Sequence, residues 1–431
     1  MNLIMHILWS ISETLVTPST MIILLVIFFY LYSKNKKTVA MQRMISGGSV
    51  NSSIELTLSQ IVLGSIGGAI ASILLGAIGV VFDENSGIIF LFYISLVLMM
   101  INPRYICFSY SGAVLGVISI IIRILNSFGI HFDGQSFLTV DVMYIMMFVG
   151  ILHIVEGILV MIDGHRGAVP VFTEKNGKIL GGYSFKRYWV LPISIITIVG
   201  MNEVKFLSSD ILTEIPKWWP IIEFSSSMIL PAVFGLLLLN LFGVIGYSSL
   251  TFTRSKREKA IVSGVHILVF GVILAVVSQI SRFGIVGEAI VIIFAPVAHE
   301  FMLKMQVKEE EKRKAKYVSD ENGLVILEVA EDSKFNEFGI DIGSKILTVN
   351  NQVVDSELEI YSIIKENLYN AIFNIIDSEG DLKEIKFRHK KNSRLGIVVV
   401  PKHVEKKDVI KIDDASFKEV LDKIKEKHKN I

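Results

Sequence analysis

Ser111 and His153 lie about 40 residues apart in two apolar stretches, 105–125 and 138–162. On adjacent helices, a hydroxyl and an imidazole so placed form a dyad able to attack a peptide carbonyl. Gly112 and Gly116 follow the serine and Gly157 follows the histidine, although small residues at such spacing also serve plain helix packing. His299-Glu300 begins an HExxH pattern, in which two imidazoles on one helical face hold zinc beside a glutamate base. The second histidine position is occupied by Leu303, so the expectation is no metal and no cofactor. Asp141, His153, Glu156, His266 and Glu288 also fall in apolar stretches, where an ionisable group is costly and marks function by default. His153 and Glu156 share a helical face, either as a satisfied pair that fixes packing or as part of a proton or ion pathway.

Positioning these residues falls to a membrane domain. Of 431 residues, 52% are hydrophobic and 19% charged, and apolar stretches long enough to cross a bilayer recur from about residue 18 to about residue 303. The expected spans are 18–33, 57–82, 87–102, 105–125, 138–162, 189–204, 220–250, 261–280 and 284–303, about nine in all. Residues 3–16 carry a helical apolar stripe that lies in the interface or extends the first crossing. A net charge of +1 gives no reason to expect a nucleic-acid partner, and one cysteine, Cys107, within an apolar run, excludes a disulfide framework and a cysteine metal cluster. The first residues lack a basic segment and a small-residue cleavage site, so a removed signal peptide is not expected.

Basic residues follow the odd-numbered expected spans: Lys34, Lys36, Lys37 and Arg43; Arg166, Lys175, Lys178, Lys186 and Arg187; Arg254, Lys256, Arg257 and Lys259; then Lys304 to Lys316. Arg104, after the third, is the weakest of these. Because cytoplasmic loops collect lysine and arginine, everything after residue 303 is expected in the cytoplasm. Residues 308–316 read as a solvated, charged helical spacer. Asn176-Gly177 between two β-rich runs predicts a hairpin, which either holds the C-terminal region or an outside partner, or is a surface connection.

Residues 323–354 read differently from the rest, as strand, short helix, glycine, tight turn, strand and asparagine turn. Phe338-Gly339-Ile340, Gly343-Ser344, Ile346, Val349, Asn350 and Asn351 resemble the pattern of a bacterial-type PDZ domain, with Ser344 and Asn351 standing for the usual aspartate and glycine. The expected fold is therefore a multi-pass α-helical membrane domain, 1–303, a charged linker, 304–317, a small α+β PDZ-like domain, 318–402, and a charged helical tail, 403–431. The resemblance implies partner capture by strand addition at Arg394, Leu395, Gly396, Ile397 and Val398, with Tyr361 on the opposing helix.

The serine string is similar to that of rhomboid intramembrane proteases, with Ser109 where that family has glycine, and the PDZ and His299-Glu300 pairing resembles site-2 proteases without their ligand set. A rhomboid-like or site-2-like protease is the alternative reading. The order of parts most resembles the MinJ family of division-site determinants. That resemblance implies a non-enzymatic scaffold in the cell membrane, enriched at septa and poles, which links a DivIVA-type scaffold to MinC and MinD inhibitors.

Overall fold

The computed structural model describes residues 3–48, 51–83, 86–131, 138–200, 217–223, 234–390 and 393–402. The expected tail, 403–431, lies outside them. Six described helices are long and apolar enough to cross a membrane: α2 (Pro18–Ser46), α3 (Ser53–Ile78), α5 (Phe108–Ser127), α6 (Val142–Asp163), α7 (Lys256–Val277, continued by a 3₁₀ segment to Phe283) and α8 (Ile285–Lys312). Two shorter apolar helices, α1 (Leu3–Val16) and α4 (Ile88–Ile101), accompany them.

This is fewer than the nine expected spans. The stretch at 87–102 forms only the 14-residue α4. The stretches at 189–204 and 220–250 are not helical where described: they belong to β3 (Lys178–Gly200) and β4 (Phe234–Thr251), antiparallel and in register from Tyr183↔Thr251 to Gly200↔Phe234. Val190, Ile193, Ile195, Ile196, Thr197, Ile198 and Val199 supply the β-branched density that favours a pleated surface over a helix. Apolar content alone does not distinguish the two. β4 is leucine-rich and owes its conformation to pairing rather than propensity.

A strand among apolar helices must have its edge groups satisfied by protein. β2 (Val169–Lys175) covers the start of β3 and the short β1 (Val81–Asp83) its end. Between them α3 lies along the open edge, because four helical residues rise about as far as two strand residues, roughly 6 Å. Gln60, Gly64, Gly68 and Ser72 thus meet Tyr188, Val190, Pro192 and Ser194 in turn. Gln60, with its amide oriented to suit its neighbours, accepts from the Tyr188 N–H at 3.3 Å. A Cβ on Gly64 would stand 2.3 Å from the Val190 carbonyl, and one on Gly68 2.2 Å from that of Pro192, which has no N–H to satisfy. Ser72 Oγ accepts from the Ser194 N–H at 2.9 Å.

The apolar stripe of α1 faces inward, with Leu3, Ile7 and Ile11 buried. Ser10 donates to Asn240 on β4 at 2.7 Å. At the far end of α6, Asp163 is fully buried and receives the Nε–H of Arg187 at 3.0 Å and the Trp189 indole N–H at 2.9 Å. The same guanidinium donates to Ser59 Oγ at 2.7 Å and to the Leu56 carbonyl at 3.3 Å. One buried ion pair therefore joins α3, α6 and β3.

The C-terminal region has strands β5 (Leu324–Val329), β6 (Lys345–Val349), β7 (Gln352–Val353), β8 (Asn370–Ile376), β9 (Leu382–Arg388) and β10 (Ile397–Val399), and helices α9 (Lys334–Glu337) and α10 (Glu357–Glu366). The sheet order is β10-β5-β6-β8-β9, with β7 paired to β6. Gly339, Gly343, Asn350 and Asn351 all take positive φ, which is where the sequence places its turns.

Candidate functional site

Two places merit the name, and the C-terminal sheet carries the first. Loop 393–396 leads into the edge strand β10, opposite α10. Gly396 has φ +74°, and a Cβ there would lie 2.5 Å from that of Ser333, so only glycine fits this turn. The Leu395 N–H donates to Tyr361 Oη at 2.8 Å, which fastens the loop to the helix wall. Beside them is a pocket of about 150 Å³ lined by Tyr361, Ile364, Lys365, Tyr369, His389 and Ser393.

Of the six residues expected in a peptide groove, Tyr361, Leu395, Gly396 and Ile397 gather here. Arg394 turns away and donates to the carbonyls of Met44 and, at 3.3 Å, Ile45, the exposed acceptors at the end of α2 where a cation is favoured. Val398 belongs to the opposite face, which packs with Val325, Leu327 and Val400 against Tyr183 and Tyr317.

That opposite face fixes the sheet to the membrane part. The β2–β3 hairpin forms as its Asn176-Gly177 turn predicts, and it is this hairpin that holds the C-terminal sheet. Tyr183 Oη donates to the Leu327 carbonyl at 2.5 Å, the Gly181 N–H donates to that of Tyr317 at 2.9 Å, and Lys256 pairs with buried Glu328 at 2.6 Å. The segment expected to be a solvated spacer is tied down as well. Glu310 accepts from Thr251 Oγ1 and the N–H groups of Phe252 and Thr253 at 2.8–2.9 Å, and pairs with Arg254.

Glu357, half-buried on α10, has its pKa pushed up to about 7 by burial, partly offset by Arg394. A carboxyl raised in the folded state contributes stability when protonated and loses it as pH rises from the ordinary range, ~4.3, through about 7. The C-terminal sheet is therefore expected to become less stable as pH increases across that window, and Glu357→Gln to flatten the slope, as read by amide hydrogen exchange of β8.

The second place is inside the helix bundle. Ser111 and His153 are both buried, yet neither is turned to the other's use. Ser111 Oγ reaches back to the Phe108 carbonyl at 3.5 Å. His153 Nδ1 donates to the Val149 carbonyl at 2.7 Å, and its Nε2 faces Cys107 Sγ at 3.1 Å. His299 from α8 joins them, and the donor atoms of Cys107, His153 and His299 lie within 4.8 Å of one another.

Around these, Tyr110 Oη lies 3.3 Å from His299 Nδ1 and donates to Glu300 at 2.5 Å, and Arg104 pairs with Glu300 at 2.5 Å. Phe270 packs edge-on against both imidazoles, with ring centroids 4.9 and 5.4 Å away. Glu156 is within electrostatic reach of all three donors.

Sequence reasoning used Cys107 only to exclude a disulfide framework and a cysteine metal cluster, and it overlooked Tyr110. Cys107 immediately precedes α5 while the imidazoles come from α6 and α8, and no spacing in the chain announces them. The other intramembrane ionisable residues have structural partners: Asp141 caps α6 through the Tyr144 N–H, Glu288 pairs with Arg123, and His266 bonds the Val262 carbonyl. Comparison with protein-family models, with curated proteins and with solved structures finds no match to this chain.

Proposed function

We propose that the chain is a membrane-anchored, non-enzymatic adaptor whose C-terminal PDZ-like domain recruits cytoplasmic partners. The supporting observation is the loop before edge strand β10, which turns at Gly396 and is fastened to α10 through Tyr361, beside a pocket of side-chain size lined by Tyr361 and Ser393. An extended peptide would add to β10 by main-chain hydrogen bonds, with one side chain in that pocket. The strand order supports the PDZ-like reading, since the last strand lies beside the first as in the permuted bacterial form.

The groove loop sits at the basic end of the helices, where the collected Lys and Arg argue for the cytoplasmic face. Docking by the hairpin and by Lys256 holds the groove close to the bilayer. A MinJ-like role follows as the specific form of this reading, with a DivIVA-type scaffold and MinC/MinD-type inhibitors as partners at septa and poles. The test is Ser393→Trp, which fills the pocket from an exposed loop position and leaves the core untouched. Partner recruitment is expected to fall while membrane insertion is unchanged, and unaltered recruitment would reject the groove.

A further inference from the structure

We propose that Cys107, His153 and His299 bind a zinc ion within the helix bundle and so tie α5, α6 and α8 together. The donors are one thiol and two imidazoles, the set that suits zinc among abundant divalent ions. Their spread, within 4.8 Å, is one that a tetrahedral ion with bonds of about 2.0–2.3 Å spans. His153 and His299 are 2% and 8% exposed and Cys107 is partly exposed, so the ion would be mostly enclosed by protein.

Both imidazoles are held from behind. The Val149 carbonyl can only accept, so the proton of His153 must be on Nδ1, and the Nε2 lone pair is left facing Cys107. Tyr110 engages Nδ1 of His299 and is itself held by Glu300, an outer support of the kind that orients metal-ligating imidazoles. Phe270 limits rotation of both rings. A structural Cys–His contact alone would need neither the third donor nor these supports.

Binding is balanced by loss of one proton: the thiol S–H breaks, the thiolate electron pair forms the S–Zn bond, and the proton leaves to solvent. The thiolate offsets one of the two positive charges, which matters where dielectric screening is weak. The fourth position is left to water or another small donor. Nothing in this site depends on the adaptor reading.

The test uses the full chain purified in mild detergent. About one zinc per chain is expected by elemental analysis, and cobalt(II) added to the metal-free protein is expected to give tetrahedral d–d bands with a thiolate-to-cobalt charge-transfer band. Cys107→Ser should remove the charge-transfer band. Tyr110→Phe, which leaves all three ligands in place, should weaken cobalt affinity about 10–100-fold, and His299→Gln more than that.

Metal-free protein that gives no cobalt spectrum overturns the proposal, as does an unchanged charge-transfer band in Cys107→Ser. Stoichiometric copper with the same ligand dependence would overturn the zinc assignment. The wild-type cobalt spectrum decides the matter even if a variant does not fold.

Discussion

Replacing Asp163 by alanine is expected to destabilise the membrane part by about 3–5 kcal/mol, the usual result of leaving one member of a buried ion pair without the other. Arg187 is 1% exposed and Asp163 fully buried, so no water replaces the lost carboxylate. The guanidinium would keep only the neutral acceptors Ser59, the Leu56 carbonyl and Gln60, and Trp189 would lose its acceptor. Unfolding in mixed micelles with increasing denaturing detergent measures the effect. Replacing both partners by apolar residues, Asp163→Leu with Arg187→Met, is expected to recover much of the loss, because the cost lies in the stranded charge more than in the pair. Equal stability of wild type and Asp163→Ala would show that this junction of α3, α6 and β3 is not as described.

The second large effect is expected at Gly68. Valine there brings Cβ to 2.2 Å from the Pro192 carbonyl, a contact with backbone that cannot swing aside. Overpacking of this kind costs about 1–3 kcal/mol or more. Here it also pushes α3 off the edge of β3, separating Ser72 from the Ser194 N–H it satisfies. Val62→Ala is the control, since Val62 is on the exposed face of α3 at 54% exposure and should stay within about 0.5 kcal/mol. Thermal unfolding of the two variants side by side in detergent reads the difference, and indistinguishable midpoints would contradict the edge-covering role of α3.

Most of the C-terminal region was legible. Its strands at Leu324–Val329 and Lys345–Val349 form within the stretch 323–354 that the sequence marks, because β-branched runs between Gly and Asn turns carry local information. The hairpin at Asn176-Gly177 was legible for the same reason.

The membrane part was less so. Hydropathy marks burial in lipid or protein without distinguishing helix from strand, so β3 and β4 read as crossings. A β-branched run containing Pro192 was the available signal, and its edge protection by Gln60, Gly64, Gly68 and Ser72 is a match between two distant segments. Of the residues expected to bind a peptide, Tyr361 and Leu395 are in contact while Arg394 and Val398 serve docking, which depends on where the end of α2 falls. Cys107, His153 and His299 are brought together by tertiary packing alone.

The adaptor reading is tested most directly by imaging a fluorescent fusion of the full chain in its native cell beside the Ser393→Trp variant, with membrane extraction as the check on insertion. The account predicts enrichment of the wild type at septa and poles, and an even membrane distribution of equally abundant Ser393→Trp. An evenly spread wild type, or a variant that concentrates at septa as well as the wild type does, would contradict it.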